Sequence, residues 1–336
     1  MKKNTILTFV VAALVVATIA CGGTATPTAT PDTQATIDAA IVATGTAQAG
    51  TQATIDAAVE ATAAAPSPTP VAEYVTMTEE ELAALIDQAV ADATAAMQEC
   101  TTATMDATAD DTLTQEEVNT VEVYVTSSED AIAYAEELIS AYYDLYGELA
   151  TETLALLQAT EEDLAALADE AAAINAALQE ISTTLDQGLA LAEETISQLE
   201  ATAQAASDKA EEIQARSQEW IQNLQAELEE RATTALAVKP TVVATDRRGA
   251  ILSAFDYVDA VRDSLADDKI TSTELANIAQ LGANAGASLN AHGGPQLQHL
   301  SGSINQITAQ IARGQMPQAK ANVGTLEASL GARPSR

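Results

Sequence analysis

The side chains able to do chemistry are mostly carboxylates, and two stretches array them at ligand-like spacing. Asp106–Glu117 (DATADDTLTQEE) and Asp263–Glu274 (DSLADDKITSTE) agree at six of twelve positions. Oxygens at alternating positions can converge on a hard cation, and a glutamate at the twelfth position can close the shell with both its oxygens. The other reactive groups are sparse: two thiols, Cys21 and Cys100, and two imidazoles, His292 and His299, flanking a Gly-Gly-Pro break. No carboxylate or cysteine is spaced to join the histidines in a zinc site, so they read as a surface pair. The sequence has no phosphate-cradling glycine loop and no Gly-x-Ser-x-Gly elbow. No catalytic, cofactor-binding or metal-binding residue is therefore assigned, and a protein that is not an enzyme and carries no cofactor is expected.

The two acidic stretches resemble EF-hand loops, with Asp at positions 1 and 5, an aliphatic residue at 8 and Glu at 12. That resemblance implies a calcium- or cation-responsive binding protein, the alternative functional reading. The departures are specific. Asp111 and Asp268 stand where the turn glycine belongs, and Leu265 offers no oxygen where Thr108 does. Against the cation reading stands an acidic turn whose Thr114/Glu117 and Thr271/Glu274 pairs cap the helix that follows.

Cys21 has the more informative setting. Lys2 and Lys3 precede an uncharged apolar run from Ile6 to Ile19, followed by Ala20-Cys21. Fourteen residues fall short of the ~20 that a membrane-spanning helix needs, and small residues at the junction suit a cleaved signal peptide over 1–20. The junction resembles the lipobox of bacterial lipoproteins, with Thr18 where leucine is commoner three residues before the cysteine. The resemblance covers residues 1–21 only. It implies lipidation of Cys21, a membrane-lipid partner through that residue, and an extracytoplasmic, lipid-anchored location at the cell membrane or outer membrane. Gly22 in place of aspartate implies no retention at the inner membrane.

Charge narrows the partners. Forty-nine Asp and Glu face fourteen Lys and Arg, and no basic residue occurs between Lys3 and Lys209. Such a surface repels phosphate backbones, which excludes nucleic acid, and it resists close docking onto anionic headgroups.

The elements that position these groups are helices. Residues 21–72 are rich in Thr, Ala and Pro, too poor in apolar surface to offset their ordering entropy, and predict a disordered linker with a duplicated segment at 33–40 and 51–58. A Thr78/Glu81 capping box opens a short amphipathic helix over 78–105, with Cys100 on its apolar face beside Val90, Ala93 and Met97. A buried, structural thiol follows. A second box, Thr114/Glu117, opens a proline-free stretch whose apolar residues recur at spacings of three and four as far as Leu224. A further cap pattern occurs at Thr126–Glu129, and the rhythm shifts once, at Leu185 to Leu189 beside Gly188.

The spacing predicts one long coiled-coil helix over 114–238, about 180 Å in length, whose narrow stripe needs a neighbour. Gly147 and Gly188 look inadequate as turns, so a homo-oligomer through the coiled coil is expected, with any other protein partner unidentified. After Lys239-Pro240, four shorter amphipathic stretches predict a small helical bundle over 247–332. The expected protein is thus all-α, with a long coiled-coil helix, a disordered N-terminal linker and a C-terminal bundle. Its expected role is a lipoprotein stalk or protein-interaction module.

Overall fold

The structure is a computed structural model that describes residues 74–110 and 112–335. The signal segment, Cys21 and the Thr/Ala/Pro tract with its duplicated segment lie outside the described residues. Within them every regular element is helical, as the sequence pattern requires: α1 (Glu79–Thr108), α2 (Gln115–Tyr146), α3 (Leu154–Asp186), α4 (Glu193–Leu236), α5 (Arg247–Ser264), α6 (Ser272–His292), α7 (Leu300–Ala312) and α8 (Met316–Leu330).

Helix α1 starts where its capping box places it. Glu81 N donates to Thr78 Oγ1 at 3.1 Å, and Thr78 N donates to the Glu81 carboxylate at 2.8 Å. Its inward face buries Leu82, Ile86, Val90, Ala93, Met97 and Cys100. Helix α2 opens on the same device at Thr114 and Glu117. The Thr126–Glu129 pattern starts nothing: Thr126 Oγ1 donates to Glu122 O at 3.0 Å, within one continuous helix.

The expected single helix over 114–238 is not formed. The chain folds back twice, at 147–153 and at 187–192, and the stretch becomes α2, α3 and α4. Gly147 and Gly188, expected to be inadequate as turns, sit at the two reversals. Gly188 adopts φ +67°, the left-handed region that side chains avoid. Gly147 ends α2 with its N–H on Tyr143 O at 3.1 Å. The first turn disguises itself because Leu149 and Ala150 are buried, so the apolar rhythm continues through it.

Helix α1 packs against α2 and α4, and α3 packs against the same two, closing a four-helix bundle. Contacts running in opposite chain directions make neighbours antiparallel. Thr101 Oγ1 donates to Ala203 O at 2.8 Å while Ser217 Oγ donates to Asp87 at 2.7 Å. The stripe expected to seek a second copy is shielded within one chain. Leu164, Leu167, Ala171, Ile174, Leu178 and Ile181 of α3 face Leu199, Ala203, Ala206, Ala210 and Ile213 of α4, all at most 1% exposed. The physical need from which self-association was expected is thereby met internally. Each fully buried Leu or Ile in that seam contributes roughly 1.5–3 kcal/mol by leaving water.

Helices α5 to α8 close a second bundle, each packed on its neighbours in chain order and α8 on α5. Helix α4 also packs against α6 and α7. There Ala232, Ala235, Ala279 and Ala312 form a buried patch whose small side chains let the backbones approach. The connection from α4 to α5 is pinned along α6. Asn284 Oδ1 accepts from Thr241 N at 2.8 Å and Val242 N at 3.1 Å, and Ser288 Oγ accepts from Ala244 N at 2.9 Å.

Candidate functional site at the junction of the bundles

The most elaborate chemistry gathers where α1 begins, α2 ends, and α4 leaves the first bundle. Glu79, in the first turn of α1, is 0% exposed. Its carboxylate accepts from Tyr142 Oη of α2 at 2.8 Å and from Arg231 Nη2 of α4 at 2.6 Å. Its backbone N–H donates to Gly314 O, in the turn before α8, at 3.1 Å. A carboxylate near a helix N-terminus also meets a favourable dipole. Burial nevertheless pushes the Glu79 carboxyl above its ordinary value, against the opposing pull of Arg231 and the hydrogen bonds. The same burial, with Glu79 alongside, drives the Tyr142 hydroxyl well above the ordinary phenol range.

One turn earlier on α4, Glu227 is also buried, and it holds the backbone just ahead of α3. It accepts from Thr151 N at 3.0 Å and Thr153 N at 3.1 Å. Thr153, at the N-cap of α3, makes no side-chain cap bond, and its own N–H is satisfied from across the bundle. Trp220 stands edge-on to Tyr142, with ring centroids 5.4 Å apart and planes at 83°. Tyr146 Oη donates to Met77 O at 2.7 Å.

Beside this network a cleft of about 530 Å³ opens between the bundles. The α2–α3 turn contributes Leu149 and Glu152, α4 contributes Glu227, Glu230, Arg231 and Val238, and α6 contributes Leu275 and Ala279. A second groove, of about 710 Å³, runs between α1 and α2.

The groups singled out in the sequence are distributed as follows. Asp106 and Glu117 both line the α1–α2 groove. Glu117, however, is turned back onto its cap, accepting from Thr114 N at 2.8 Å, and Asp110 accepts from Thr112 N at 3.1 Å. In the second stretch Glu274 accepts from Thr271 N at 2.9 Å, Asp268 pairs with Lys320, and Asp268 holds φ +64° where the resemblance calls for glycine. Both twelfth-position glutamates thus serve as caps. No group of three or more His, Cys, Asp or Glu could hold a metal ion among the described residues. His292 and His299 are exposed. Cys100 is fully buried, and burial pushes its thiol up to about 11, which makes it inert as a nucleophile at neutral pH.

Sequence reasoning missed Glu79, Glu227 and Arg231, although a signal was present. Continued past Leu224, the alternation of three and four lands on Glu227 and then Arg231. Continued backward from Ile86 and Leu82, it lands on Glu79. An ionisable residue on an apolar seam must find a partner inside. No helix of the described residues is long and apolar enough to cross a membrane. No family model matches the chain, nor does any curated protein or solved structure.

Proposed function

We propose that the chain is an extracytoplasmic lipoprotein, anchored through Cys21, that works as a protein-interaction module and not as a catalyst. One observation supports the interaction role above others. Between residues 74 and 238 there are 36 acidic and three basic residues, and all three basic ones are engaged within the bundle. Lys209 pairs with Asp163 at 2.6 Å, Arg216 pairs with the same carboxylate, and Arg231 pairs with Glu79 at 2.6 Å. The outward face is left anionic and without counter-charges of its own. Such a face concentrates cationic partners and is repelled by anionic headgroups, which keeps a tethered bundle off its own membrane.

No described helix has the length expected of a rigid stalk. The longest helix among the described residues, α4, has 44 residues, which gives about 66 Å.

The test is metabolic labelling with an alkyne fatty acid in a lipoprotein-processing bacterium, followed by fractionation. The wild-type chain is expected to carry label and sediment with membranes, and Cys21→Ser is expected to do neither. Retention of Cys21→Ser in the membrane fraction would remove the anchor. In-cell crosslinking that captures no other protein would remove the interaction role.

A further inference from the structure

Arg231 has hydrogen-bonding capacity that the fold does not use. Its Nη2 pairs with Glu79 at 2.6 Å, but Nε and Nη1 are buried and meet no partner among the described residues. A buried, charged donor left unpaired is costly, and native interiors rarely keep one. The side chain is 11% exposed, and it lines the cleft between the bundles. An acceptor entering that cleft would answer it.

The cleft has the dimensions of a ligand site. Its volume of about 530 Å³ lies within the ~300–1,000 Å³ usual for small-molecule pockets, which favour such interfaces. Leu149, Val238, Leu275 and Ala279 give it an apolar floor, and Glu152, Glu227 and Glu230 share its lining with Arg231. Glu227 accepts one backbone N–H on each oxygen, from Thr151 and Thr153, which leaves lone pairs for a further donor. These surroundings choose the ligand's charge. A cation would face the free N–H groups of the guanidinium, and an anion would stand among three carboxylates. A neutral group that accepts from Arg231 and donates to Glu227 meets neither penalty. A primary carboxamide carries acceptor and donors on separate atoms of one plane.

We propose that this cleft binds a small apolar carboxamide. Its carbonyl oxygen accepts from Arg231, its N–H donates to Glu227, and its alkyl chain lies on the Leu149–Leu275 floor.

Isothermal titration of the full-length Cys21→Ser chain with hexanamide, hexanoate and hexylammonium tests this with three ligands of similar length. Saturable 1:1 binding of hexanamide is expected, with each charged analogue at least about tenfold weaker. Arg231→Lys keeps a cation for Glu79 and removes Nε and Nη1, so it should weaken hexanamide by about tenfold. Ala276→Trp, on the exposed cleft wall of α6, should abolish binding without touching the Glu79 network. An unaltered circular dichroism spectrum shows that each variant keeps the fold. Glu152→Gln with Glu230→Gln should strengthen hexanoate by roughly fivefold, because two like-charge repulsions at the surface are removed, and should change hexanamide by less than about twofold. Tighter binding of hexanoate or hexylammonium than of hexanamide by the wild-type chain would overturn the proposal. So would hexanamide binding that survives Ala276→Trp, or that is indifferent to Arg231→Lys. An absence of saturable hexanamide binding would mean that water alone meets the free donors, which overturns it as well. The anchor at Cys21 plays no part in these outcomes.

Discussion

The two bundles share a fold and differ in how they handle charge. Residues 74–238 carry 36 acids against three bases, and residues 239–336 carry eight against nine. The first bundle places its cations against its own helix seams, two on Asp163 and one on Glu79. The second sets them on the surface across helices, as in Arg262 with Glu327 and Arg333 with Asp259, and Arg333 also lies 5.2 Å from the Phe255 ring centre. Exposed pairs of that kind contribute little individually. A buried pair is more consequential, because removing one partner strands the other charge. The first bundle therefore depends on a few interior contacts while its surface works against it, and the second has no such tension.

The largest expected effect tests that dependence directly. Arg231→Leu leaves Glu79 buried beside Glu227 with no cation, and urea unfolding should lose about 3–5 kcal/mol. The double variant Glu79→Gln, Arg231→Leu should recover much of the loss, because an amide can still accept from Tyr142. Trp220, the sole tryptophan, lies in the first bundle and reports on it alone, while circular dichroism reports on both. Coincident transitions would show that the junction makes one cooperative unit, and separated ones would show two.

Gly314 is where the second bundle meets Glu79. It holds φ +66°, and a Cβ there would lie 2.4 Å from the Cβ of Glu79. Gly314→Ala is expected to cost about 1–3 kcal/mol through strain and overpacking. The loss should appear at this junction even though the residue belongs to neither seam. A cost no larger than that of Gly324→Ala, where a Cβ meets nothing within 4 Å, would break the idea of a tight junction.

How much of this was legible depends on whether the signal is local. The starts of α1, α2 and α6 are written in Thr-x-x-Glu boxes that act within one turn of helix, and they could be read from sequence. The starts of α3 and α4 could not. Thr153 makes no side-chain cap bond and Ala192 has none to make, and the N–H groups of Thr151 and Thr153, just ahead of α3, are met by Glu227, more than seventy residues away. The seam itself was legible over its whole length; the identity of its neighbour was not. Period alone cannot separate a stripe that meets a second chain from one that meets its own continuation two turns of chain later. The site followed the same rule. Cys100 was placed by its stripe, whereas Glu79, Glu227 and Arg231 occupied stripe positions that an apolar pattern passes over.

A smaller effect sharpens the comparison through pH. The Glu79 carboxyl is raised in the fold above its ordinary value of 4.5, so the folded state holds this proton more tightly than the unfolded chain. Its contribution is complete below the unfolded value and is lost as pH rises through the folded one. Protonating surface carboxylates also relieves self-repulsion in the first bundle. The midpoint followed by Trp220 should therefore rise as pH falls from about 7 to about 5, and Glu79→Gln should reduce the slope. Below that window the direction reverses. Asp110, held low by its bonds to Thr112, and Glu229, held low by Arg313, must then take up protons against their contacts. A Trp220 midpoint that falls steadily from neutral pH would contradict the assignment.

The smallest expected effect belongs to salt, and it separates the bundles most cleanly. Raising ionic strength from ~20 mM to ~0.5 M shortens the Debye length from about 20 Å to about 4 Å. In residues 74–238 the screened interactions are almost all repulsions between like charges, so the Trp220 midpoint should rise. In residues 239–336 the screened interactions are mainly cross-helix attractions such as Arg262 with Glu327, and there salt should be neutral or mildly destabilising, by under about 1 kcal/mol. Amide exchange resolves the two, because Tyr257 and its neighbours report on the second bundle as Trp220 does on the first. Opposite signs follow only if the surplus carboxylates of α1 to α4 face water unpaired. Equal responses would mean that their charge is neutralised by something bound.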